Sequence, residues 1–215
     1  MVQEGALQVK VWGEYACFTR PEMKVERVSY PVMTPTAARG VLEAIFWKPE
    51  FRWQVEEIRV LNSIQYFGLV RNEVNTRASQ QVAAKWARQG GGYSAPDDRS
   101  QRHTLGLRCV AYVILGRQVL RPDVTDDPAK YRDQFRRRVR EGRCFATPYL
   151  GCREFSAHFC EPDGGEQPSG EDMDIGPMLL EMVYAPNGSG RGAPLFWNAS
   201  LAGGVLRVPA LEEVT

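Results

Sequence analysis

Apolar and polar residues alternate along Leu7-Gln8-Val9-Lys10-Val11-Trp12, the period of a half-buried strand. A helix is predicted from Thr34-Pro35, with Thr34 as N-cap and Pro35 at the first helical position. Ala38, Val41, Leu42 and Ile45 recur at helical spacing, so they face a core. Pro49 requires the helix to stop before it. Phe51, Trp53 and Val55 then alternate with Arg52, Gln54 and Glu56 as a second strand, and 25–32 is a short extension that can pair. Residues 62–74 continue as a strand or hairpin. Residues 75–102 are polar and carry Gly90-Gly91-Gly92, the pattern of a mobile loop. A long strand follows over 104–115. Asp127-Pro128 opens a second helix, with Tyr131, Phe135 and Val139 spaced by four and Gly142 closing it. Residues 149–160 read as another strand.

Strand–helix–strand thus occurs twice within 1–160. Two such units in one sheet predict an α+β chain with a ferredoxin-like N-terminal domain, the architecture of RNA-recognition modules. Residues 161–172, EPDGGEQPSGED, read as a linker. Three short strands follow at 178–184, 195–197 and 204–208, with turns at 186–188 and 202–204, giving a small antiparallel β-rich subdomain over 161–215.

Composition narrows the function classes. The chain has 215 residues, 25% of them charged, and no apolar run long enough for a membrane helix. No basic region followed by an apolar stretch marks the N-terminus as a secretory signal. Five scattered cysteines without a CxxC pair fit reduced thiols in the cytoplasm, and argue against a disulfide framework or structural zinc site. Two histidines, His103 and His158, stand in no metal-ligand spacing, so neither metal nor other cofactor is expected. Gly90-Gly91-Gly92 lacks the lysine of a P-loop, and no GxSxG motif is present.

Charge is uneven although the net is +1. Residues 161–215 carry two basic and nine acidic residues, net −7, which leaves +8 on 1–160. A basic body fits a polyanionic partner, and plain solvated surface is the competing reading. Lys130 and Tyr131 lie in the first turn of the second helix, where free N–H groups and the helix dipole favour phosphate. Arg136, Arg137 and Arg140 follow as candidate phosphate contacts, and His103 sits at a basic strand entrance. The stretch IFWKPEFRW at 45–53 places four aromatics and two basic residues around one proline. Ile45, Phe51 and Trp53 are core by periodicity. Phe46, Trp47 and Lys48 fall at the helix end, where an aromatic can stack on bases beside a cation; core packing of Trp47 is the alternative.

Ordered stretches along nearly the whole chain resemble one family. They include WGEYACFT at 12–19, SYPV at 29–32, ARGVLEAIFWKP at 38–49, IRVL at 58–61, RNEV at 71–74, LGCREF at 150–155, DIGPML at 174–179 and GVLRVP at 204–209. Together they resemble the CRISPR-associated repeat-processing protein of the subtype I-C interference system. The resemblance implies a ferredoxin-like domain with a β-rich C-terminal part. It also implies an endoribonuclease that cuts the repeat of precursor CRISPR RNA and stays in the effector complex beside the 5′ handle. Its partners would be repeat RNA, mature guide RNA and the other effector subunits; DNA is a further compatible ligand. The implied cleavage needs no metal: the 2′-hydroxyl attacks the adjacent phosphate and leaves a 2′,3′-cyclic phosphate.

The pattern departs from the family at the reacting groups. The family's tyrosine at the end of the first helix is Phe46 here. Ala129-Lys130 fall on its Lys-His pair, so no histidine stands there. Lys130 remains to stabilise the phosphorane, with Tyr131 and Tyr30 as candidate phenols and His103 available if its loop folds over. Two rivals follow: a non-catalytic RNA-holding subunit of the effector complex, or an unrelated ferredoxin-like enzyme acting on a small molecule.

Overall fold

The computed structural model describes residues 6–23, 25–77, 79–184, 190 and 192–214. It is an α+β arrangement of three helices on a largely antiparallel sheet. The order of elements begins with β1 (Leu7–Ala16), β2 (Arg27–Val28), α1 (Pro35–Ile45) and β3 (Phe51–Val60). Next come β4 (Tyr66–Val74), α2 (Gln80–Gln89), β5 (Arg99–Leu120), α3 (Pro128–Arg140) and β6 (His158–Cys160). The chain ends with β7 (Met173–Tyr184), β8 (Gly192–Ala202), β9 (Val205–Arg207) and a 3-10 turn at Leu211–Glu213.

Strand β5 holds the sheet together. Its second half lies between β1 and β3, antiparallel to both, with Val9 opposite Ile114 and Ile58 also opposite Ile114. Its first half leaves these partners and pairs with β4 and β2 instead. The switch occurs near Cys109, whose φ is 53°, and the Asn62 side chain donates to the Cys109 carbonyl at 2.7 Å. β6 pairs on the outer side of β1, and β9 on the outer side of β3, so the C-terminal strands extend the same sheet. Residues 161–172 have no regular structure but are pinned. Glu166 pairs with Lys10 at 3.2 Å, and the Ser169 N–H donates to the Val60 carbonyl at 2.8 Å.

Helices α1 and α3 pack side by side on one face. The Thr34 hydroxyl accepts from the Ala37 N–H, which fixes the start of α1 where the sequence places it. Ala38, Val41, Leu42 and Ile45 are buried as their spacing requires, and Tyr131, Phe135 and Val139 bury α3. The seam is aromatic: Trp53 meets Phe135 edge-on at 4.8 Å, and Phe51 lies 5.4 Å from Tyr131.

The mobile loop expected over 75–102 is instead a helix between two strand ends. Ser79 caps α2 by accepting from the Val82 N–H at 3.2 Å. Trp86 stacks over Tyr93, and Gly91 approaches Trp86 so closely that a Cβ there would lie 2.8 Å from its ring. No residue of α2 is buried, so the helix rides at the tip of an arm built by β4 and the first half of β5. The strand expected over 149–160 shrinks to β6, because Gly151, with φ 82°, turns the chain against the end of β1. The turn expected at 186–188 lies outside the described residues. Among the described residues no helix is long and apolar enough to cross a membrane.

These packing differences set expected stabilities. Phe135→Ala should cost about 3–5 kcal/mol in urea denaturation, the usual range for emptying a buried aromatic site. Ser79→Ala should leave the global transition unmoved while raising amide exchange in α2, because that helix opens without disturbing the core.

Candidate functional site

The N-terminal turn of α3 is built around two aspartates. The Asp127 side chain accepts from the Ala129 N–H at 2.9 Å and caps the helix. Asp126 pairs with Lys130 at 3.0 Å and accepts from the Tyr131 hydroxyl. The phosphate seat expected at this helix terminus is thus already filled by carboxylate. Lys130 itself is exposed and lies 5.3 Å over the Tyr131 ring.

Tyr131 does not reach solvent: it is 2% exposed, against Phe51. The hydrogen bond to Asp126, reinforced by burial, pushes its pKa up to about 12. Tyr30 is also buried, beneath Arg20, and its hydroxyl donates to the Pro177 carbonyl at 3.1 Å. Burial raises its pKa as well. Both phenols are engaged inside the protein.

The helix end at 45–48 reverses the expected roles of two neighbours. Phe46, offered as a stacking surface for bases, is 1% exposed and packs on Phe51 at 5.5 Å. Its backbone is extended, φ −152° and ψ 115°, which turns the ring inward as α1 ends. The Trp53 indole N–H donates to the Phe46 carbonyl at 2.8 Å and closes that turn. Trp47 points the other way and is 52% exposed, so the core reading of this tryptophan is wrong. Lys48 is half-buried beside it.

A cleft of about 510 Å³ runs along the outer side of α3, lined by Lys130, Asp133, Gln134, Arg136, Arg137 and Arg140. Arg136 pairs with Asp133 at 3.3 Å, and Arg140 reaches Glu161 at 3.8 Å. Among the described residues Arg137 makes no ion pair. Arg138 is different: it donates to the Ile45 carbonyl at 3.1 Å and covers the Phe46 ring, tying α3 to α1. His103 is not part of this surface. It sits in the arm opposite Val70, its N–H on Glu26, and 17 residues before Leu120, where β5 ends near α3. The strand ladder prevents it from folding over.

One exposed aromatic escaped the sequence reading. Phe145 is 82% exposed, and its N–H donates to the Ala44 carbonyl at 2.8 Å, which holds it at the same end of α1 as Trp47. The signal was a lone aromatic directly after an arginine-rich helix. Among the described residues no three His, Cys, Asp or Glu side chains are grouped to hold a metal ion.

The family model for Cas5d, a CRISPR-associated protein, matches residues 6–209. The chain belongs to the Cas5d family. It is 48% identical over 219 residues to the CRISPR pre-crRNA endoribonuclease Cas5d of Thermus thermophilus, covering 95% of this chain and 91% of that protein. It is 40% identical over 223 residues to the protein of the same name from Mannheimia succiniciproducens, covering 97% of each. Two crystal structures share the fold. One is a CRISPR-associated protein, with TM-score 0.69 and 24% identity, covering 97% of this chain and 94% of the other. The other is the functionally uncharacterized protein SMU1763c from Streptococcus mutans, with TM-score 0.68 and 20% identity at the same coverage.

In this Cas5d chain, Asp126 controls the state of the α3 turn. The Tyr131 hydroxyl and then Lys130 hold its carboxyl below the usual range. The stability it contributes is therefore present at neutral pH and is lost only as pH falls through its depressed pKa. Asp126→Asn should bring the Tyr131 phenol back towards its ordinary value of about 10. Alkaline difference absorbance, with Tyr131→Phe identifying the signal, checks this; an unshifted phenol in the parent protein would refute the assignment.

Proposed function

We propose that this chain is a CRISPR-RNA-processing endoribonuclease that cuts the repeat of precursor CRISPR RNA without a metal and remains with the guide in an effector complex. The observation that carries this reading is the basic cleft along α3, in a chain 48% identical to a named pre-crRNA endoribonuclease; Trp47 and Phe145 are exposed at the end of α1. Its frame is read as ferredoxin-like, supported by two strand–helix–strand units interleaved in the order β6-β1-β5-β3. In this reading Arg136, Arg137 and Arg140 hold phosphates, and Trp47 and Phe145 offer faces to unpaired bases. The 2′-hydroxyl attacks the adjacent phosphorus in line. Lys130, released from Asp126, neutralises the phosphorane oxygens. The 2′-hydroxyl proton passes to water, the P–O5′ bond breaks as the O2′–P bond forms, the leaving 5′-oxygen takes a proton from water, and a 2′,3′-cyclic phosphate remains.

A second reading keeps the RNA and drops the chemistry. It is favoured by the state of the phenols: Phe46 has no hydroxyl, and Tyr30 and Tyr131 are buried with theirs engaged. This chain would then hold the 5′ handle in the effector complex and leave cutting to another subunit.

Incubation with repeat RNA from the same genome in EDTA separates the two. The nuclease reading expects one cut with a cyclic-phosphate end, and Lys130→Ala slowing it by about a hundredfold, the scale of losing one transition-state charge contact. Tight binding without a cut supports the handle-holding subunit. Arg137→Ala should weaken binding in either case and lower the salt slope by about one unit. Salt-independent or absent binding would sink both readings.

A further inference from the structure

Where β1 ends, a group of side chains stands apart from the α3 cleft. Cys152 Sγ lies 3.5 Å from Arg27 Nη1, 3.5 Å from the Cys17 carbonyl oxygen and 4.0 Å from Thr19 Oγ1. Cys17 Sγ lies 3.5 Å from the same threonine hydroxyl. The two backbones also meet there. The Cys17 N–H donates to the Leu150 carbonyl at 3.1 Å, and a Cβ on Gly151 would stand 2.1 Å from the Cys17 oxygen. Only glycine lets this loop close on β1. Cys152 is partly exposed and Cys17 is buried behind it, so an incoming reagent meets Cys152 first.

We propose that Cys152 is a nucleophilic thiol that hydroperoxides oxidise, and that Cys17 resolves the product as a disulfide. The Cys152 thiolate attacks one peroxide oxygen; an S–O bond forms, the O–O bond breaks, and the leaving alkoxide or hydroxide takes a proton from water. Cys17 then gives up its proton and attacks the sulfenic sulfur. An S–S bond forms and hydroxide departs, joining that proton as water. The two thiols together lose two electrons and the peroxide gains them.

The surroundings favour charge on Cys152 rather than on Cys17. A hydrogen bond from the Cys17 thiol, then the Arg27 guanidinium, hold the Cys152 thiol low, whereas that same bond and burial push Cys17 up. Arg27 is itself placed by Glu154 at 3.0 Å and Glu73 at 3.7 Å, and Glu73 also pairs with Arg71. Burial and, less strongly, Glu154 oppose the thiolate, but they do not cancel these contacts. Cys109 and Cys144 are exposed thiols elsewhere on the chain and serve as internal references.

The test uses the full chain. Iodoacetamide is applied across a pH series and each cysteine is followed by peptide mass spectrometry. Cys152 should alkylate at neutral pH about tenfold faster than Cys144 and with a lower midpoint, as a depressed thiol does. Arg27→Gln should raise that midpoint, with Arg27→Lys restoring it. Hydrogen peroxide should yield a dithiothreitol-reversible peptide joining Cys17 and Cys152, and Cys17→Ser should leave a dimedone-reactive Cys152. Alkylation of Cys152 no faster than Cys144, or oxidation first at another cysteine, overturns the proposal without any variant being needed.

Discussion

The structure depends on one strand serving two sets of partners. β5 is 22 residues long, far beyond the usual five or six. Its second half is central, with β1 and β3 satisfying both edges of its backbone. Ahead of Cys109 the same strand carries β4 and β2. A body and an arm therefore share one continuous ladder, and the arm needs little core of its own. That explains how α2 persists with nothing buried: its cap and the Trp86–Tyr93 pair are local, while the strands beneath it are anchored in the body.

The second constraint is the aromatic seam between the helices and β3. Phe46, Phe51 and Tyr131 form a chain of ring contacts, and Trp53 with Phe135 extends it along α3. Burying these rings removes them from any ligand. It also fixes how α3 can present itself, because Tyr131, Phe135 and Val139 leave the rest of the helix facing out. The basic cleft is thus a consequence of core packing on the opposite side of the same helix.

Periodicity made the helices legible. Ala38, Val41, Leu42 and Ile45, and separately Tyr131, Phe135 and Val139, recur at spacings that only a helix places on one face. The roles of Phe46 and Trp47 were not legible for the same reason. Where a helix ends, the period no longer applies, and one extended residue decides which neighbour turns inward. The strand of the arm falls where 62–74 reads as one, but helix α2 was not legible because three consecutive glycines outweigh QQVAAKWARQ, a stretch of good helix formers with a serine cap ahead of it. The acids at the head of α3 were visible in sequence as Asp126-Asp127-Pro128, but that both would be used locally depends on side-chain geometry. Phe145 could be found only by seeing the chain return from α3 to the end of α1.

The arginines of α3 resemble each other in sequence and differ in kind once placed. Arg138 is committed to the Ile45 carbonyl and the Phe46 ring, so losing it would loosen the two helices. Arg136 and Arg140 hold exposed carboxylates on Asp133 and Glu161, pairs that contribute little because water and salt screen them. Exchanging such a carboxylate for a phosphate costs little, while the pairing keeps the guanidinium extended over the cleft beforehand. The acids along this face therefore do not argue against a polyanion. Asp126 does the same for Lys130 and separately holds Tyr131. A phosphate that draws Lys130 away leaves the tyrosine contact in place, so the cation can move to a ligand while the helix start stays fixed.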